Sequence, residues 1–180
     1  MAFEAYLYID GVRGDSTSAV AKNEVPAETS SAGPIEIQNY GLGIEMPLVE
    51  NRSATGAVTV GRANFEDFET AKNLDISTSA LLFFCLSGKH IPFAVVKVYR
   101  AVADDDSSKP TLYMEIKYQS VVITEVSVSG SGDEMPTETL KFNYGSVEYK
   151  YYKTDAKTGK SNNQLAIFSW DRGANTGTKS

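Results

Sequence analysis

Residues Ala80–Leu86 form the longest uninterrupted apolar run of the chain, inside the one stretch that reads convincingly as helix. Ile76, Ala80, Phe83 and Phe84 fall at i, i+4, i+7 and i+8, which places them on one helical face. Leu81, Leu82, Cys85 and Leu86 widen that face until the helix is apolar nearly all round. Such a helix has to be covered on more than one side. The spacing predicts a helix over Asp75–Leu86 that packs through Ile76, Ala80, Phe83 and Phe84. Asp75 or Ser77 can cap its free N–H groups, and Gly88 can take the positive φ that ends it.

The rest of the chain alternates like strands. Phe3–Ile9 puts Phe3, Ala5, Leu7 and Ile9 on one face and Glu4, Tyr6 and Tyr8 on the other. Ile35–Tyr40 and a short Ala57–Gly61 read as further strands, and Asn64–Ala71 as a link to the helix. Phe93–Arg100, Thr111–Lys117, Ser120–Val128, Thr137–Tyr144, Val147–Tyr152 and Gln164–Ser169 follow, separated by turn-rich segments. This spacing predicts an antiparallel meander closing into a barrel or sandwich. The expected fold is mainly β, a compact antiparallel barrel with one flanking helix and long loops. It forms a single domain over residues 1–180 with a polar tail from about 171.

Two loops are long. Asp15–Pro34 is rich in Ser, Thr, Ala and Gly and is expected to be exposed. Gly41–Thr55 is unusually apolar in its first half, with Leu42, Ile44, Met46, Leu48 and Val49 lacking a strand partner. Apolar groups in an exposed loop suggest a contact surface; the alternative is a lid folded over one end of the barrel. Tyr-rich strands such as Val147–Tyr152 fit either plain surface aromatics or an interface, where Tyr gives rigid contact area.

Chemistry has little to work with. The chain carries one His and one Cys, too few for the Cys/His ligand sets of structural zinc sites, so none is expected. Cys85 reads as a small buried hydrophobe, and His90 lacks an orienting third group for a catalytic triad. Asp104-Asp105-Asp106 lacks the spacing of a calcium loop and reads as a solvated turn. No cofactor, metal or catalytic residue is expected. The net charge of −6 argues against nucleic acid, and no polybasic run offers a membrane anchor. The start of the chain lacks a basic region and an unbroken apolar run, so no export signal is read there, and no stretch approaches the ~20 apolar residues of a membrane span.

Several pieces, in order, carry a resemblance. They are Tyr6-Leu7-Tyr8-Ile9-Asp10-Gly11-Val12-Arg13-Gly14-Asp15, Ile35–Gly43, Phe65-Glu66-Asp67-Phe68 and Leu81–His90. Tyr113–Ile116, Val121–Val126, Ser129–Gly132, Pro136–Glu138, Leu140–Gly145 and Val147–Tyr151 continue the series. Over roughly residues 5–152 the chain resembles the Hcp family, the haemolysin-coregulated proteins of type VI secretion. The resemblance implies a phage tail-tube-like barrel and a subunit of hexameric rings that stack into the inner tube. Its partners would be copies of itself, a contractile sheath, a spike and small effectors carried in the ring lumen. The subunit would be cytoplasmic before firing and secreted without a signal peptide. The resemblance also implies that Leu42–Thr55 reaches across a subunit boundary. The long Asp15–Pro34 loop departs from the family pattern.

Overall fold

A computed structural model describes residues 4–29, 32–48, 61–100, 110–132, 135–155 and 161–180. Strand β1, Glu4–Ile9, sets the plan because both of its faces are buried. Ala5, Leu7 and Ile9 enter the main core, while Tyr6 and Tyr8 enter a second, smaller one with Val95 and Tyr99. The second core exists because the 15–34 segment folds over it. Helix α1, Ala19–Asn23, is capped by the Ser18 side chain and buries Ala21, and a 3-10 turn follows at Ala27–Thr29. The Tyr8 hydroxyl donates to the Ala21 carbonyl at 2.8 Å, and Tyr99 donates to Glu24 Oε2 at 2.8 Å. The expectation of an exposed loop is therefore corrected. Its small residues permit close packing, and the underside of β1 supplies an apolar surface. Gly14 allows the segment to close: a Cβ there would lie 2.1 Å from the Pro34 carbonyl oxygen.

The main sheet runs β2 (Ile35–Glu36), β1, β6 (Ile91–Arg100), β7 (Thr111–Ser129), β9 (Ser146–Thr154), β10 (Ser161–Asp171), β11 (Thr176–Lys179). Every ladder is antiparallel. A second layer pairs β7 with β8 (Thr137–Asn143), and β8 with β5 (Phe68–Asn73). A separate hairpin pairs β3 (Ile44–Glu45) with β4 (Asn64–Phe65). Strand β7 belongs to both layers. The break expected after Lys117 is a kink, with Ser120 at φ 53°. Before it β7 pairs with β9, and after it with β8.

The ladders leave a gap between β2 and β5, spanned by residues 38–41. Gln38 N–H donates to the Ala71 carbonyl at 2.8 Å, Gly41 N–H to the Glu69 carbonyl at 2.8 Å, and Glu69 N–H returns to Gly41 at 3.4 Å. The Asn39 side chain adds a bond from Ala71 N–H at 2.7 Å. Inside the barrel Phe68, Tyr118, Phe142 and Tyr144 pack ring to ring, with centroids 4.6 to 5.3 Å apart. Such pairs add about 0.5–1.5 kcal/mol beyond their burial.

One other expectation differs. The 64–71 link is β4 and the start of β5, since Phe68, Thr70 and Lys72 alternate inward. The polar tail from about 171 carries β11, which pairs with β10. A polar edge strand carries no hydrophobic period, so periodicity could not reveal it. The short strand expected at 57–61 falls, apart from Gly61, outside the described residues, as do Phe3, Val49 and Asp104–Asp106.

Helix α2, Thr78–Ser87, ends at Gly88 with φ 60°. Leu81 and Phe84 are its buried residues, with Ala80 and Cys85 half-buried against the core. Ile76 and Phe83 point away. The expected packing face is thus corrected: Ser77, Leu81 and Phe84 (i, i+4, i+7) face inward, and Ile76 lies in the turn before the helix. A helix apolar all round contains two valid stripes, and the sequence does not say which one the barrel covers.

Candidate assembly surface

Among the described residues the β3–β4 hairpin and the outer face of α2 hold most of the strongly exposed large apolar side chains. The hairpin is an arm. Ile44 pairs with Phe65 and Glu45 with Asn64, and Gly61 N–H donates to the Pro47 carbonyl at 3.2 Å further out. Leu42 at the root is half-buried against the core, with Phe65 beside it. Ile44, Met46 and Leu48 are 46%, 49% and 65% exposed. Of the five loop residues singled out from sequence, three share the free arm, Leu42 belongs to the barrel, and Val49 is outside the described residues.

The arm's root is fixed by residues that sequence reasoning missed. The Arg172 guanidinium lies 5.1 Å from the Phe65 ring centroid and 5.2 Å from that of Tyr144. It donates to Asn143 Oδ1 at 2.9 Å and also to the Tyr144 carbonyl. Arg62 donates to the Arg172 carbonyl. Arg62 and Arg172 are 110 positions apart, and no local signal links them. Together with His90, Asn64 and Asn143 they line an open cleft of about 790 Å³. Burial pushes the Tyr144 phenol up to about 12, against the opposing pull of Arg172.

The second patch is on α2. Ile76, Phe83 and Leu86 are 63%, 64% and 88% exposed. They fall on one stripe with Ser79 (i, i+3, i+7, i+10), opposite the stripe that enters the core. Lys89 and His90 are exposed just past the helix end. Cys85, half-buried, touches the core. Among the described residues no group of three or more His, Cys, Asp or Glu is placed to hold a metal ion, and no helix is long and apolar enough to cross a membrane. The surface offers apolar contact area and a few charges.

Residues 6–151 match the family described as type VI secretion system effector, Hcp. The chain belongs to the Hcp family. It is similar to the protein Hcp1 of Pseudomonas aeruginosa, 31% identical over 100 residues. That match covers 55% of this chain and 59% of the relative, so it spans little more than half the length of that protein. Among solved structures, a type six secretion system protein superposes with a TM-score of 0.81 at 22% identity, covering 98% of this chain and all of the other. Hcp1 from Salmonella typhimurium gives 0.71 at 22% identity, over 99% of this chain and all of that one. A type VI secretion system effector from Yersinia pestis gives 0.68 at 23%, over 93% and 98%. These likenesses establish the fold: a mainly β, antiparallel Hcp barrel.

Proposed function

We propose that this chain is a structural subunit of the type VI secretion inner tube, forming hexameric rings that stack and leave the cell with the expelled tube. The observation that carries the reading is a family match across most of the chain combined with two exposed apolar patches on the barrel. Monomeric soluble proteins seldom leave such patches in water, and a closed ring would cover them. The partners that follow are copies of the chain itself, a surrounding sheath and a spike. The arm, through Ile44, Met46 and Leu48, is the element proposed to cross a subunit boundary.

Light scattering after size exclusion, with negative-stain images, tests this. Expected is a species several times the 19.5 kDa chain, with a visible central hole. A monomer at every micromolar concentration, with no rings in the images, overturns the reading.

A further inference from the structure

The cleft at the root of the arm is lined by Arg62, Arg172 and His90, and by no carboxylate. The chain as a whole carries a net charge of −6, yet neither guanidinium has an ion-pair partner among the described residues. Neighbouring carboxylates are engaged elsewhere. Asp67 accepts from the Asn143 amide at 2.6 Å and from the Thr124 hydroxyl at 2.7 Å. Asp171 accepts from Ala174 N–H at 2.8 Å, and Glu66 lies against Gly43 in a separate groove. Both guanidiniums are held from behind. Arg172 lies over the Phe65 and Tyr144 rings and gives Nη1 to Asn143 Oδ1 and to the Tyr144 carbonyl. Asn143 is itself turned by Asp67, and the Arg172 N–H fixes the turn by donating to the Gly145 carbonyl at 3.0 Å. Among the described residues Nε and Nη2 of Arg172 have no acceptor, which leaves the side-on fork that an oxyanion accepts bidentately. Arg62 gives Nη2 to the Arg172 and Gly173 carbonyls and keeps Nε and Nη1.

We propose that this cleft is a binding site for an oxyanion, the carboxylate or phosphate group of a small ligand, held by Arg172 and Arg62. The Ser120 hydroxyl and the His90 ring, which also line the cleft, add donors at its wall. The site belongs to the single subunit and does not depend on assembly. Its volume of about 790 Å³ suits a small organic anion or one acidic side chain. Guanidiniums already fixed by carbonyls and aromatic rings lose little freedom when the anion arrives, so the charge is available at low ordering cost. The two cations also come from different parts of the fold. Arg62 follows Gly61 in the returning limb of the arm, and Arg172 stands in the turn between β10 and β11. An anion held by both ties the arm to the end of the barrel.

The test is calorimetric titration of the full chain with pyrophosphate and, separately, with citrate, at an ionic strength of ~0.15 M so that diffuse attraction is screened. Expected is saturable binding of one anion per chain. Arg62→Gln and Arg172→Gln should each weaken it by about tenfold or more, and Arg62→Lys should weaken it less than Arg62→Gln. Lys22→Gln, which removes an exposed charge on α1, should leave it unchanged. Arg172→Gln also removes the cation over Phe65 and Tyr144, so Arg62→Gln is the deciding variant, with circular dichroism confirming its fold. Absence of saturation below ~10 mM for both probes overturns the site. Wild-type binding by the folded Arg62→Gln chain, or equal weakening by Lys22→Gln, overturns it as well, because the attraction would then be to the surface at large. Light scattering during the titration separates two sources of the oxyanion, and each supports the site. A particle size that stays constant at saturation assigns the cleft to a free anion. Dissociation that tracks saturation assigns it to an acidic side chain of a neighbouring copy, displaced by the probe.

Discussion

Replacing Lys72 by Met should destabilise the barrel far more than a surface lysine could. Lys72 and Glu138 face each other across the β5–β8 ladder, and both side chains are fully buried. The ammonium contacts Asp75 Oδ1 at 2.7 Å, the Asn73 carbonyl at 2.9 Å and Glu138 Oε2 at 3.5 Å. Glu138 Oε2 also accepts from the Thr78 hydroxyl at 2.6 Å, while its other oxygen is buried without a hydrogen-bond partner. At an effective dielectric of ~20, opposite unit charges at that separation attract by about 5 kcal/mol. With the cluster intact, most of this is offset by the cost of taking the ions out of water. Lys72→Met removes the attraction and keeps the buried carboxylates, so the expected loss is about 3–5 kcal/mol. Adding Glu138→Leu removes the stranded charge and should recover at least ~2 kcal/mol. Urea denaturation at fixed protein concentration, followed by circular dichroism and by fluorescence of the single tryptophan, Trp170, measures both. A loss below ~1 kcal/mol for Lys72→Met, or a double variant no better than the single one, would refute the argument that this charge is held in a dry site.

Phe84→Ala should cost about 3–5 kcal/mol of subunit stability, while Phe83→Ala, on the exposed stripe, should stay within ~0.5 kcal/mol; chemical denaturation separates them, and equal losses would contradict the assigned faces. Ile44→Asp with Met46→Asp should abolish rings in negative stain and leave the circular dichroism spectrum and melting profile near wild type. Alkali should unfold the barrel through its buried phenols. Burial pushes Tyr6 and Tyr144 up to about 12 and raises Tyr8, Tyr99 and Tyr118 as well. A phenol whose folded pKa is raised stabilises fully below its ordinary value near 10, and that contribution is lost as pH rises through the folded value. Stability should therefore fall between about pH 10 and about pH 12, with tyrosinate absorbance rising together with loss of circular dichroism. Tyrosinate absorbance that rises well before any loss of structure would contradict this.

Much of the barrel was legible because alternation is a local signal. Ala5, Leu7 and Ile9 announce a buried face without help from the rest of the chain, and Gly88 announces a helix end. The misses share one cause, which is that burial is decided by distant partners. Tyr6 and Tyr8 read as an outer face until residues 19–29 fold over them. Phe83 and Phe84 are indistinguishable in sequence, and only the position of the barrel selects Phe84. The arm was visible as a run of apolar residues in a turn-rich stretch, but Leu42 could not be separated from Ile44 by pattern alone. Arg172 left no trace, since a cation over Phe65 and Tyr144 is built by three remote segments.

The seam at residues 38–41 gives the isolated subunit an order of unzipping. Strands β5 and β8 share a six-residue ladder, whereas the β2–β5 side is stitched by three backbone bonds and by side-chain bonds of Gln38, Asn39 and Thr70. The arm leaves the barrel directly after this seam and re-enters directly before β5. Any tension on the arm therefore reaches this seam first. A free subunit is expected to open at Gln38–Gly41 before its main sheet loosens, which hydrogen exchange of these amides measures. If the arm is held from outside, as the proposed function has it, the seam is held with it, and a captured subunit is expected to be stiffer than a free one.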